Sequence, residues 1–289
     1  VQQRSIGNDT VGRVAVGAIG LGAMPLSTRS DRPSPADAEA VVHAALDAGV
    51  TLIDTADAYA ADESEFGHSE ELVARALRSY GDGARGVLVA TKGGHTRHGS
   101  DWDLDGSPGY LRRACEASLR RLGVEAIGLY QLHRPDPGTP WEESMAGLRS
   151  LYDDGLVRMV GVSNAGIAQI DVARSVLGDA FVAVQNQFSP GWRFSADELA
   201  HCAGHGLAFL PWSPFGGVSA AGSLDATAPA FAEVAAELGV SVYRVTLAWH
   251  LAQADVVLPI PGASRPASIT DSAAAADLRL TAEQLARLG

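Results

Sequence analysis

Apolar residues along this chain gather in short, largely β-branched runs, separated by longer stretches where they recur every three or four positions. Runs of the first kind read as buried strands and stretches of the second as amphipathic helices. Strands are predicted near 16–21 and at 50–53, 87–90, 127–132, 157–162, 181–184, 207–211 and 256–260. Helices are predicted at 35–48, 69–80, 107–123, 141–152, 165–177, 196–203, 229–238, 241–253 and 281–288. Cap chemistry supports several ends. Ser34-Pro35 and Ser107-Pro108 offer an N-cap followed by a first-turn proline, and Gly49 and Gly123 follow last turns.

Strictly alternating strands and helices imply a parallel sheet. Eight such repeats over 289 residues fit a closed (β/α)8 TIM barrel, typically about 250 residues, better than an open doubly wound sheet. No Pro/Ser-rich linker or compositional break divides the chain, so a single barrel domain spanning 1–289 is expected. The alternating stretch at 11–16 suits a short N-terminal hairpin over the barrel bottom. Gly20-Leu21-Gly22-Ala23-Met24 suggests the dinucleotide fingerprint G-x-G-x-x-G, but Pro25 stands at its last glycine and no helix opens there. That reading is rejected. What survives is close approach of a ligand to the backbone of Gly22 and Ala23.

Composition narrows the partners. Hydrophobic content of 46% and charged content of 19% suit a globular protein. Against 22 basic residues stand 34 acidic ones, a net charge of −12, which argues against nucleic acid and anionic membrane as partners. No apolar run reaches the roughly 18 residues of a spanning helix. Val1-Gln2-Gln3-Arg4 lacks the charged-then-apolar pattern of a signal peptide, so a cytoplasmic location is expected. Cys115 and Cys202 lie outside any C-x-x-C or zinc spacing, so buried free thiols and no metal centre are expected. Lys92 is the sole lysine. A coding bias toward arginine explains the other cations; the survivor then marks a place that needs a compact ammonium, the alternative being chance survival.

In a barrel the loops after the strands share one face, which gathers Asp54, Lys92, His133, Ser163, Asn164, Gln185 and Trp212, with Tyr59 just beyond Asp54. A phenol titrates near 10 and alone is a sluggish proton donor. An ammonium about 4 Å away attracts a phenolate by roughly 4 kcal/mol at an effective dielectric near 20, which is expected to lower that value by about 2. A carboxylate beside the ammonium keeps it charged and aimed. Asp54, Lys92 and Tyr59 therefore read as a tuned general acid, with His133 placed to hydrogen-bond an entering carbonyl oxygen. The set holds no nucleophile and no metal cage. It suits protonating an oxygen while a separate donor supplies electrons to the carbon.

An ordered series of segments extends this picture. It comprises Gly20-Leu21-Gly22-Ala23-Met24, Leu52-Ile53-Asp54-Thr55-Ala56-Asp57-Ala58-Tyr59, Thr91-Lys92-Gly93, Ser118-Leu119-Arg120-Arg121-Leu122-Gly123 and Leu129-Tyr130-Gln131-Leu132-His133. Gly161-Val162-Ser163-Asn164, Val184-Gln185-Asn186, Trp212-Ser213-Pro214 and Ile260-Pro261-Gly262 complete it. Over nearly its whole length the chain resembles the aldo-keto reductase superfamily. The resemblance implies a (β/α)8 barrel that reduces aldehydes or ketones with NADPH and without metal, its tetrad falling on Asp54, Tyr59, Lys92 and His133.

The same resemblance implies a cofactor site. Ser163, Asn164 and Gln185 would hold the nicotinamide carboxamide, and Trp212 would stack on the ring where tyrosine is commoner. Ser213, Pro214, Phe215 and Gly217 would line the pyrophosphate, and Gly22, Ala23 and Met24 would approach the cofactor from the first strand. Gly262, Ser264 and Arg265 would lie near the adenosine phosphate. Ser268 and Ser272 occupy cofactor positions where many members carry arginine and asparagine, leaving Arg265 as the cation for a 2′-phosphate. NADPH is therefore favoured over NADH. Gly128 replaces an aspartate common in the family and reads as structural.

Asp57 reads as a solvated loop acid rather than a substitute for Asp54. His201 and His205, four apart on a helix, suit a metal but read as surface histidines, because no H-E-x-x-H motif accompanies them. His68 reads as a turn and helix-cap residue. Trp102 and His95, in the loop after the third strand, are candidate substrate-lining residues. A Schiff-base aldolase would also use a barrel lysine, but Asp54 favours its charged form. A nicotinamide-binding, redox-sensing subunit with slow turnover, as the potassium-channel beta subunits resemble, is the rival from another class. The short C-terminal segment suggests an open pocket for a small carbonyl substrate. Neither that substrate's identity nor the oligomeric state is legible.

Overall fold

The computed structural model describes residues 2–217 and 220–289. It opens with an antiparallel hairpin, β1 (Gln3–Asn8) and β2 (Gly12–Gly17). Ile6 and Val16 are fully buried and pack into the inward face of the barrel from below, as the alternating pattern predicts. The repeat follows: β3 (Leu21–Gly22), α1 (Pro35–Asp47), β4 (Leu52–Asp54), α2 (His68–Tyr80) and β5 (Leu88–Gly93). A second hairpin, β6 (His95–His98) and β7 (Asp101–Leu104), precedes α3 (Pro108–Leu122). Next come β8 (Leu129–Leu132), α4 (Trp141–Asp153), β9 (Val160–Ser163), α5 (Ile167–Leu177) and β10 (Phe181–Gln185). The chain then runs through α6 (Ala196–His205), β11 (Ala208–Phe209), α7 (Leu224–Thr227), α8 (Pro229–Leu238), α9 (Val242–Gln253), α10 (Pro266–Ala273) and α11 (Ala282–Leu288).

Seven strands pair in parallel in the order β11-β10-β9-β8-β5-β4-β3. The ring is closed by residues 256–262, where Val257 bridges to Phe209 and Gly262 to Gly22. Gly20 and Gly22 donate to the carbonyls of Pro259 and Pro261 at 2.8 and 2.9 Å. This segment was expected as a regular eighth strand. Pro259 and Pro261 have no N–H, so toward β3 it accepts ladder bonds without returning them, while toward β11 it accepts from the Phe209 amide and donates through Leu258. The ring is tight here: a Cβ on Gly22 would lie 2.8 Å from the Ile260 carbonyl oxygen.

Three other expectations are corrected. Val16 and Gly17 belong to the hairpin, and the first barrel strand is only Leu21–Gly22. His95, His98 and Trp102 lie on the β6–β7 hairpin rather than in a loop. Helix α10 went unforeseen because it carries few apolar anchors and no Ser/Thr cap, opening instead on Arg265-Pro266. The sequence at 216–222 is glycine-rich and reads as a loop, of which residues 218 and 219 lie outside the described residues.

Caps follow their chemistry. Ser34 and Ser107 accept from the amides of Asp37 and Tyr110, and Gly123 ends α3 in the left-handed conformation. Helix α3 buries Leu111, Ala114, Cys115, Ser118 and Leu122, a face set by 3.6-residue periodicity. Cys115 and Cys202 are both buried free thiols, and burial pushes each up to about 12. Gly128 is structural as read: a Cβ there would sit 2.6 Å from Leu88 Cδ1. No helix among the described residues is long and apolar enough to cross a membrane.

Candidate active site

Successive side chains on a strand point to opposite faces, so residues two apart share a face. Leu52, Leu88, Ala90, Leu129, Met159, Ala183, Ala208 and Leu210 fill the barrel interior, while Ile53, Tyr130, Val160, Val162, Val184 and Phe209 pack outward against helices. Continuing the inward series by two residues at each C-terminal end gives Asp54 after Leu52 and Lys92 after Ala90. On the neighbouring strands it gives Gln131 and then His133 after Leu129, Ser163 after Gly161, Gln185 after Ala183, and Trp212 after Leu210. The same parity that builds the core therefore sets polar groups around its upper mouth.

Lys92 is fully buried among them, and all three of its N–H donors are used. It donates to Asp54 Oδ2 at 2.6 Å, to the Thr55 carbonyl at 2.9 Å and to Tyr59 Oη at 3.1 Å. Asp54 Oδ1 accepts from Gln185 Nε2 at 2.7 Å and from Gln131 Nε2 at 3.4 Å. Burial pulls the Lys92 ammonium down, but Asp54 and Tyr59 together more than offset this, so its pKa rises and it stays charged. Because Tyr59 Oη accepts from Lys92, its own proton is free to be donated elsewhere.

One expectation is reversed. The Tyr59 phenol sits above its ordinary value, not below it: burial disfavours the phenolate by more than the Lys92 ammonium favours it, and Asp54 adds repulsion. His133 moves the other way. Burial, and then the positive charge of Lys92, hold it well below the ordinary histidine value, so it is a neutral imidazole at neutral pH. Its ring meets that of Tyr59 edge-on at 5.5 Å and that of His95 at 4.4 Å.

The β6–β7 hairpin is tied to the loop that carries Tyr59 by bonds between Gly99 and Glu63 and, nearer Tyr59, by a side chain that the sequence reading overlooked. Buried Arg97 donates to the carbonyls of Ala58 and Ala60, on either side of Tyr59, and to those of Ala61 and Ser100. Its guanidinium also lies 4.3 Å over the Trp102 ring. Asp57, in the same loop, is not solvated as expected. It is fully buried, and neither carboxylate oxygen has a partner among the described residues. Burial, then the nearby Glu70, hold its carboxyl well above the usual range. His68 is the first residue of α2 rather than its cap: the N-cap is Gly67, which makes no side-chain cap bond, and the His68 ring instead contacts Ser27 Oγ at 3.0 Å.

Above the tetrad opens a cleft of about 390 Å³, a size suited to small ligands. Asp54, Tyr59, Trp102 and His133 border it, together with Gly22, Met24, Ser163, Asn164 and Gln185. Trp212, Ser213, Pro214, Phe215 and Gly217 form another wall, and Gly262 and Ser264 the far end. Lys92 lies beneath the floor, and His95 stands behind His133 and Trp102. Ala23 is buried beside the mouth. Arg265 is exposed at the N-cap of α10, while Ser268 and Ser272 lie along that helix and do not border the cleft. Arg134, Pro25, Ala221, Ile260 and Ala263 line it without having been singled out in the sequence. Position next to His133 was the one available signal for Arg134.

These walls suit a flat, amide-bearing ring. Asn164 spends its amide hydrogens on the His133 carbonyl and Ser163 Oγ, both at 3.0 Å. Its side-chain oxygen has no donor among the described residues. Asn164 and Ser213 also hold left-handed backbone conformations, φ 60° and 50°, which non-glycine residues rarely adopt outside functional sites.

The aldo/keto reductase family profile matches residues 18–289. An uncharacterised oxidoreductase of Schizosaccharomyces pombe is 33% identical over 292 residues, covering 100% of this chain and 90% of its own. The 6-dehydroglucose reductase of Novosphingobium aromaticivorans is 37% identical over 85% of this chain and 82% of its own. An aldo-keto reductase from Klebsiella pneumoniae, crystallised with NADPH, superposes with a TM-score of 0.79 at 28% identity, covering 100% of this chain and 94% of that one. The chain belongs to the aldo/keto reductase family.

Proposed function

We propose that this protein reduces an aldehyde or ketone to the corresponding alcohol with a nicotinamide dinucleotide, NADPH in preference to NADH. The observation that carries the reading is the saturated Lys92 ammonium, held by Asp54 and the Thr55 carbonyl and directed at Tyr59 Oη. The relatives support it, one being a 6-dehydroglucose reductase and another an aldo-keto reductase crystallised with NADPH. Ser163, Asn164 and Gln185 would hold the carboxamide, Trp212 the ring face, and Ser213 to Gly217 the phosphates. When bound, the dihydronicotinamide supplies a hydride to the carbonyl carbon.

The chain's own residues handle the oxygen. His133, neutral, donates a hydrogen bond to the carbonyl oxygen and orients it. Tyr59 gives up its proton as negative charge develops there, since an alkoxide is a far stronger base than a phenolate. Lys92, already in contact, stabilises the phenolate as it forms. Tyr59→Phe removes the hydroxyl, which is both the proton donor and one of the three acceptors of Lys92, so turnover should vanish while NADPH binding, followed by fluorescence, stays within about threefold (~0.7 kcal/mol). Equal loss of both would overturn the assignment. Arg265, the exposed cation beyond Gly262 and Ser264, would meet the 2′-phosphate. Arg265→Ala should therefore raise KM for NADPH and leave KM for NADH unchanged.

A further inference from the structure

Helix α6 ends in a pair of histidines that the reductase chemistry does not use. His201 and His205 are one turn apart, so both rings project from one face of the helix. The structure supplies what the sequence lacked, a third donor from the neighbouring helix. Asp171 of α5 brings Oδ1 to 2.8 Å from His201 Nε2, and the His201 and His205 rings meet at 4.6 Å. One ligand atom from each of the three residues lies within 4.8 Å of the other two. Zinc–nitrogen and zinc–oxygen bonds of about 2.0–2.2 Å place tetrahedral donors roughly 3.3–3.6 Å apart, which small rotations of exposed side chains would reach.

We propose that Asp171, His201 and His205 form a binding site for a late first-row divalent cation of the zinc class, pinning α5 to α6 on the outside of the barrel. Two imidazoles and one carboxylate are a ligand set of the right softness for such ions and the wrong one for calcium or magnesium. Water would complete the coordination. The His201 side chain is only 19% exposed and is already aimed at Asp171, so little ordering remains. His205 is the last residue of α6, where unpaired helix carbonyls favour positive charge. The ion would enter between His201 Nε2 and Asp171 Oδ1, replacing the hydrogen bond there. Arg174 is the competitor, contacting Asp171 Oδ1 at 3.3 Å from the same helix. No residue of α5 or α6 borders the catalytic cleft, so occupancy should not alter turnover.

The test titrates Zn2+ into the untagged, chelator-stripped full chain by calorimetry, with Co2+ absorption reporting coordination geometry. One site per chain is expected, together with a rise in melting temperature and the visible bands of low-symmetry cobalt. His205→Ala should weaken binding by at least the roughly 10- to 100-fold that loss of a supporting ligand contact costs, and leave NADPH-dependent turnover unchanged. Asp171→Asn should weaken binding too, whereas Arg174→Ala should tighten it by freeing the carboxylate. The proposal is overturned if the wild-type chain takes up no zinc, if His205→Ala binds it as tightly, or if Arg174→Ala weakens it. Failure on any of these counts leaves the reductase reading untouched, since that reading is tested at Tyr59.

Discussion

Replacing Lys92 by methionine keeps the side chain out to the Cε position and removes only the charged ammonium beyond it, so it measures what the ammonium contributes. At the 3.1 Å separation from Tyr59 Oη, the attraction for a phenolate is about 5 kcal/mol at an effective dielectric of 20. Asp54, 2.6 Å from the same ammonium, repels the phenolate and offsets part of that gain. Taking roughly half as the net leaves ~2.5 kcal/mol, or about seventyfold in the rate of the reductive step. The pH profile should move as well. Tyr59 must be protonated to act, and its pKa already lies above the ordinary phenol value, so reduction should hold level through neutrality and decline only above about 10. Without the ammonium, that decline should shift further alkaline. A complication is built in: removing one partner of a buried ion pair leaves Asp54 uncompensated, typically at 3–5 kcal/mol of stability. The double variant Asp54→Asn/Lys92→Met removes both charges and should recover the fold but not the activity. Single-turnover reduction, followed by loss of dihydronicotinamide absorbance in variants shown to fold and bind cofactor, reads the effect directly. A folded, cofactor-binding Lys92→Met with kcat within threefold of wild type would refute the assigned role of Lys92.

Three further outcomes are expected. His133 has a folded pKa below its unfolded value, so the unfolded chain takes up a proton that the folded chain refuses; stability is complete above about 6.5 and falls below it, by up to ~1.4 kcal/mol per pH unit. His133→Gln should flatten that acid limb in denaturant titrations. Asp57 has the opposite sign for a carboxyl, a raised folded pKa, so the stability lost through it accrues as pH rises above about 3.8. Asp57→Asn should therefore stabilise the protein more at pH 7 than at pH 4, and an equal effect at both would contradict the upward shift of this buried carboxyl. Arg97→Met frees the carbonyls flanking Tyr59 and the Trp102 ring together. It should lower kcat and raise KM by about tenfold each, and unchanged kinetics would show that the loop holds Tyr59 without it.

Most of the architecture was legible because its cause is local. Strand runs, Ser-Pro caps and terminal glycines are all determined within a few residues, and the alternation of elements then dictates a parallel ring. The failures share a cause too. Pro259 and Pro261 sit in a sequence apolar enough for a strand, and only their missing N–H groups, set against the edge at Gly20 and Gly22, break the ladder. The β6–β7 hairpin turns on the two-residue loop Gly99-Ser100, a hairpin signal in itself, but no alternating apolar face accompanies it. For the site, residue identity and strand-end position sufficed to pick Asp54, Lys92 and His133, because inward parity carries each to the mouth. Arg97 and the Asp171–His201–His205 cluster depend on contacts between elements, which no local pattern encodes. The solvated reading of Asp57 failed for the same reason: charged residues in loops are usually exposed, and only the packed position of α2 and Glu70 buries this one.

The reversed shift at Tyr59 makes the site easier to understand, not harder. Burial disfavours whichever form of a group carries charge, so it raises a phenol and lowers an imidazole. Both occur here, on rings in edge-on contact at the same cleft. In the proposed reduction, one physical cause would thus leave Tyr59 with a proton to give and His133 with an uncharged N–H to orient the oxygen. The ammonium has a different task. Fixed by Asp54 and the Thr55 carbonyl, it need not ionise the phenol in the resting site, where a standing phenolate would have no proton to deliver. Its contribution falls due when negative charge moves onto Tyr59 Oη, with the stabilising donor already 3.1 Å away and nothing left to reorganise. In the proposed reduction, burial and a pre-aimed lysine would therefore act at different points of the same proton transfer: the first sets the starting protonation states, and the second lowers the barrier between them.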